Sequence, residues 1–123
     1  MGMLRAAVIG AGFVGRAHIE SLRRQGIPVV GVLGSSRDRA AESARALRID
    51  RAYSSLDELA KDKEVDVVHI CTPNHLHAEQ TTVLMRAGKH VMCEKPLAMN
   101  TKESAQLIDL ARKENRVGGV TYN

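Results

Sequence analysis

Leu4-Arg5-Ala6-Ala7-Val8-Ile9 runs directly into Gly10-Ala11-Gly12-Phe13-Val14-Gly15. The first stretch is a short apolar run of strand type. The second is a G-x-G-x-x-G pattern. A helical period follows over Phe13–Gln25, and Gly26 supplies its stop. Glycines fall at such spacing by chance, so the pattern alone means little. A strand before it and a helix after it are the setting that a phosphate-cradling turn requires. Gly10 permits the tight turn. Gly12 lets the backbone approach a pyrophosphate. Gly15 lets the helix pack close to the strand. Amides near Phe13 and Val14 then point at the phosphates, where the helix dipole favours negative charge. The alternatives are a plain glycine-rich turn, or a loop binding FAD or another adenine nucleotide.

Outward from this stretch, short apolar runs alternate with longer helical segments. The runs are Leu4–Ile9, Pro28–Leu33, Val65–Cys71, His90–Cys93 and Val117–Thr121, with a weak one at Ala52–Tyr53. They are nearly continuous rather than alternating, as in strands covered on both faces. Between them, Phe13–Gln25 sets Val14, Ala17, His18, Ser21 and Leu22 on one face. Arg37–Leu47 aligns Ala40, Ala41, Ala44 and Leu47. Ser55-Leu56-Asp57-Glu58 is a capping box, His75–Ala87 ends at Gly88, and Asn100-Thr101-Lys102-Glu103 offers a second cap. Repeated strand and helix mean an α/β fold with a parallel sheet. The reading predicts a doubly wound Rossmann sheet of about six strands in the order 3-2-1-4-5-6. Helices cover both faces, and the ligand sits at the switch point between strands 1 and 4.

Composition agrees with one globular domain. The chain has 123 residues, 44% hydrophobic and 26% charged, which excludes a disordered or collagen-like chain. No apolar run approaches the roughly 18 residues that span a bilayer. The four apolar residues at Ala6–Ile9 are too few for a signal peptide, so a cytoplasmic address and no membrane partner are expected. The net charge of +4 is spread along the chain, and only Phe13, Tyr53 and Tyr122 could stack on bases, so nucleic acid is not expected as a partner. Cys71 and Cys93 read as reduced core residues.

An acid about 20 residues beyond the glycine loop would hold the ribose 2′-hydroxyl of NAD. This chain has Leu33-Gly34-Ser35-Ser36-Arg37-Asp38-Arg39 there. Hydroxyls of Ser35 and Ser36 with the guanidinium of Arg37 suit a 2′-phosphate, so the reading favours NADP(H) over NAD(H). Alternatively, Ser36 caps the next helix, Arg37 and Arg39 are solvated, and Asp38 holds the ribose.

The polar loop Cys71-Thr72-Pro73-Asn74-His75-Leu76-His77 leaves strand 4 against the ligand. Cys71, His75, His77 and Cys93 lack the hooks of a zinc site, so no metal is expected. His77 is a candidate contact to the cofactor, and His69 in mid-strand reads as a core histidine. Glu94-Lys95-Pro96 ends strand 5, where a charged pair suits a site better than a core. A partly desolvated Lys95 suits proton transfer. The plain alternative is a surface salt bridge.

The glycine loop, Cys71-Thr72-Pro73-Asn74 with His77, Ala87-Gly88-Lys89-His90-Val91 and Glu94-Lys95-Pro96 together resemble the Gfo/Idh/MocA oxidoreductases. The resemblance covers essentially the whole chain and implies an NAD(P)-binding Rossmann domain over residues 1–123. It implies Gly10, Gly12 and Gly15 at the pyrophosphate, and Thr72, Pro73, Asn74 and His77 facing ribose and nicotinamide. Glu94 would lie near the nicotinamide ribose. Lys95 would sit beside the nicotinamide as the catalytic residue, often with a cis Lys-Pro bond, and Asn123 would approach the ring. The implied reaction moves hydride between nicotinamide and a hydroxyl-bearing carbon of a sugar or cyclitol. In such proteins a further domain carries substrate contacts and most of a homo-oligomer interface, and that domain is expected to lie outside this chain. The rival expectation is a non-catalytic dinucleotide-binding module, a redox sensor or regulatory subunit.

Overall fold

The computed structural model describes residues 2–122. The strands are β1 (Ala6–Ile9), β2 (Val29–Leu33), β3 (Arg51–Tyr53), β4 (Val67–Ile70), β5 (His90–Glu94) and β6 (Gly118–Thr121). The helices are α1 (Phe13–Arg24), α2 (Arg37–Leu47), α3 (Leu56–Lys61), α4 (His77–Arg86) and α5 (Thr101–Lys113), with a 3-10 turn at Asn74–Leu76 before α4. All strand pairs are parallel, in the order β3-β2-β1-β4-β5-β6. The order reverses between β1 and β4, which opens a crevice at their carboxyl ends.

Two cores explain the strand composition. Ala6, Val8, Val29 and Val32 pack under Ile19 and Leu22 of α1 and Ala44 of α2. Ala7, Ile9, Val68, Ile70, Val91 and Cys93 face the other way, against Leu59 of α3 and Leu84 and Met85 of α4. Neighbouring strand residues thus serve opposite layers, so the central strands read as continuous apolar runs.

Three helices start on side-chain caps. Ser36 Oγ accepts from the Arg39 amide, Ser55 Oγ from Glu58, and Asn100 Oδ1 from Glu103. The return bonds of the two capping boxes land one residue early. Glu58 accepts from the Ser54 amide and Glu103 from the Met99 amide.

The face expected for α1 needs correction. Gly15, Ile19 and Leu22 are buried, whereas Val14 is 43% exposed. The helix must lay Gly15 on the strand, and this turns the Val14, Ala17, His18 and Ser21 side toward the open flank of β4, β5 and β6. There, with His69, Met92, Glu94 and Thr121, it lines a groove of about 400 Å³.

Candidate functional site

The glycine loop fills the β1 end of the crevice. The Gly10 amide donates to Leu33 O on one side, and the Cys71 amide donates to Ile9 O on the other. Gly10 has φ +86°, and a Cβ there would lie 2.4 Å from Cys71 O. A Cβ at Gly15 would lie 1.7 Å from Gly10 O. Both glycines are therefore required by the fold. Gly12 differs. It has φ −74°, which suits any residue, and a Cβ there would meet no protein atom within 4 Å. Its missing side chain leaves open space before the first turn of α1. No side chain caps that turn.

A cleft of about 530 Å³ continues from Gly12 past Ser35 at the end of β2, with Arg16, Arg39 and Glu42 on its walls. Ser35 follows the end of β2 by two residues and lines this cleft. Ser36 caps α2, and Arg37 is exposed on the first turn of that helix. Arg39, one turn along α2, lines the cleft. Arg39, read from sequence only as a solvated residue, and Arg16, given no role there, each lie one helical turn beyond Ser36 and Gly12 respectively.

Thr72, Pro73 and Asn74 follow β4 across the switch point, with Pro73 and Asn74 exposed. The Thr72 hydroxyl donates to Gln80 Oε1 at 2.6 Å. His77 was expected to face the ligand and does not. Its side chain is fully buried. Nδ1 meets Pro96 O at 2.7 Å and Nε2 meets Thr72 O at 2.9 Å. Both ring nitrogens are spent inside the protein, so His77 fastens the loop after β4 to the turn after β5. As the first residue of α4, it falls on the inner side of the helix.

That turn contains the cis Lys95–Pro96 bond. Lys95 is exposed, and among the described residues it has no ion-pair partner. The Glu94–Lys95 surface pair is therefore not formed. Glu94 accepts instead from His18 Nε2 at 2.8 Å, with the two side chains 13% and 11% exposed. His18 Nδ1 stands 2.8 Å from His69 Nδ1. Burial, then the neighbouring His18, lowers the His69 pKa to about 4, so this ring is neutral at neutral pH. No motif in the linear sequence singles out His18 for this pairing. Its signal was position: His18 falls three residues beyond Gly15, and its neighbours on the sheet, His69 and Glu94, lie on adjacent strands two residues apart in register.

The two thiols lie in opposite layers, Cys71 beside the α1 core and Cys93 in the α4 core. Burial raises them to about 12 and about 11, so neither is a thiolate at neutral pH. Asn123 lies outside the described residues.

A parallel sheet of this order, with an uncapped glycine turn at its switch point, defines a dinucleotide-binding Rossmann domain. The profile of the GFO/IDH/MocA oxidoreductase family, NAD-binding Rossmann fold, matches residues 4–122, and the chain belongs to that family. Relatives include a 1,5-anhydro-D-fructose reductase of Ensifer adhaerens, 38% identical over 98% of this chain and 37% of its own length. A scyllo-inositol 2-dehydrogenase (NADP(+)) of Bacillus subtilis is 39% identical over 89% of this chain and 34% of its own. The structure of a levoglucosan dehydrogenase in complex with NADH and levoglucosan superposes with a TM-score of 0.89 at 34% identity, over 97% of this chain and 34% of that one. The chain thus spans about a third of the length of these relatives. Among the described residues no helix is long and apolar enough to cross a membrane.

Proposed function

We propose that these residues form the cofactor-binding part of an NAD(P)-dependent oxidoreductase that acts on a hydroxyl-bearing carbon of a sugar or cyclitol. The open backbone at Gly12 carries this reading, because it is the one glycine of the loop that packing leaves free. Amides of Phe13 and Val14 hold the pyrophosphate there, at the positive end of α1. The relatives named above for 1,5-anhydro-D-fructose, scyllo-inositol and levoglucosan support a polyhydroxylated ring as substrate.

NADP(H) is the preferred cofactor in this reading. Ser35, Arg39 and Arg16 line the cleft beyond the pyrophosphate position, and guanidinium groups pair with a 2′-phosphate in charge-assisted bonds. Ser36 and Arg37 support this end as the start of α2. Glu42 on the same wall is the group that would take ribose hydroxyls if NAD were preferred.

The bound nicotinamide supplies the hydride acceptor or donor. Thr72, Pro73 and Asn74 border it from the β4 side, and Glu94 accepts from its ribose. Lys95 Nζ takes or returns the proton of the substrate hydroxyl, a role that suits an exposed lysine with no ion-pair partner among the described residues. Replacing Lys95 with Ala in the whole protein lowers kcat by about 100-fold or more while the dinucleotide Kd stays within about twofold. Unchanged turnover of a polyol by that variant removes Lys95 from the chemistry.

A further inference from the structure

We propose that His18 is a positioning residue for Glu94, and that His69 fixes the tautomer in which His18 does so. This rests on the reading that Glu94 meets the dinucleotide. The three side chains come from α1, β4 and β5 and form one continuous chain of hydrogen bonds. His18 Nε2 is 2.8 Å from Glu94 Oε1, and His18 Nδ1 is 2.8 Å from His69 Nδ1. The two rings meet edge to face, with centroids 5.1 Å apart.

The direction of the chain follows from its end group. An ionised carboxylate can only accept, so His18 Nε2 carries a proton. When both rings are neutral, His18 Nδ1 is a bare acceptor and His69 donates to it through Nδ1. In that state His69 is held in the Nδ1–H form and His18 in the Nε2–H form. Each bond fixes the ring orientation needed by the next.

The consequence falls on Glu94. A glutamate at a strand end has three side-chain rotations free. Here Oε1 is tied to His18 at 2.8 Å, and Oε2 receives only a long bond of 3.3 Å from the Lys95 amide. Oε2 thus keeps its capacity for a ribose hydroxyl, and its position is set from α1. The same helix opens at Gly12, so one rigid element bears on the pyrophosphate with its first turn and on the ribose carboxylate through His18. A preorganised acceptor binds more tightly than one that must be ordered on binding.

The test measures dinucleotide Kd for the whole protein and its His18→Phe, His18→Gln, Glu94→Gln and His18→Phe/Glu94→Gln forms. Glu94→Gln is expected to weaken binding about tenfold, and His18→Phe to weaken it by a similar factor. His18→Gln, whose amide can donate from near the Nε2 position, recovers most of the loss. The double variant binds no worse than Glu94→Gln alone. If Glu94→Gln weakens binding and His18→Phe does not, or if the two losses multiply, the positioning role is overturned while the Glu94 contact stands. If Glu94→Gln has no effect, that contact falls and the proposal falls with it. Should His18→Phe not fold, ring-nitrogen NMR of the unaltered protein at about pH 9, well above the ordinary histidine pKa, decides. The expected spectrum has His69 protonated at Nδ1 and His18 at Nε2. A His69 proton on Nε2 overturns the proposal.

Discussion

Gly15 lies so close to the Gly10 carbonyl that a methyl group there would stand 1.7 Å from the oxygen. At Gly12, three residues earlier, a methyl would meet nothing within 4 Å. The loop therefore contains glycines of two kinds, one required by the fold and one that packing leaves free. Gly15→Ala should cost the fold about 3 kcal/mol or more, because the helix must lift off the strand. Gly12→Ala should leave the melting temperature unchanged or slightly raised and weaken dinucleotide binding at least tenfold. Thermal unfolding and a binding titration on both variants check the contrast.

Arg39 and Arg16 share the cleft wall with Ser35. Removing a guanidinium that pairs with phosphate costs about 1.5–3 kcal/mol. Arg39→Ala should therefore weaken NADPH binding by about 10- to 100-fold and NADH binding by less than threefold. Equal losses for the two cofactors would deny Arg39 a role at the 2′-phosphate.

Burial holds the folded His69 pKa at about 4, below the 6.5 of an unperturbed histidine. Between those values the unfolded chain binds a proton that the folded one refuses, so unfolding is favoured as pH falls. The stability associated with a neutral His69 is fully present above about pH 6.5 and is lost progressively toward pH 4. Melting temperatures measured across this window should fall, and His69→Gln should flatten the slope. An unaltered slope in that variant would assign the acid sensitivity to other groups.

Lys89 in the Ala87-Gly88-Lys89-His90-Val91 stretch is buried, and its ammonium donates to Asp62 O and Val65 O. Burial lowers its pKa, and the nearby carboxylates of Asp62 and Asp66 work against that shift. Lys89→Met strands both carbonyls and should cost about 2–4 kcal/mol. Dinucleotide affinity should not change, since Lys89 ties α3 and β4 rather than lining the cleft. Chemical denaturation with a parallel titration checks both halves.

The fold was legible because patterning and turn chemistry agree. Gly10 to Gly15 follow a strand and open a helix, and β2, β4, β5 and β6 stand out in the sequence as short apolar runs. Only local steric demands moved the details. Gly15 turned α1 by one position, and the return bonds of Glu58 and Glu103 shifted by one residue. The candidate site was legible where residues are close in sequence, as at Gly10–Gly15, Thr72–Asn74 and Glu94–Lys95. It was opaque where function depends on which side of a helix faces inward. His77 points into the protein, Arg39 reaches the cleft from α2, and His18 joins Glu94 across 76 positions of chain. No periodicity in a single helix encodes such a pairing.

The most direct measurement is calorimetric titration of the protein with NADPH and with NADH, beside the Gly12→Ala form. We expect saturable binding of both by the unaltered protein, tighter for NADPH, and loss of both in a Gly12→Ala protein that melts normally. A folded protein that binds neither, or a Gly12→Ala protein that binds as well as the original, would contradict a dinucleotide site at the mouth of α1.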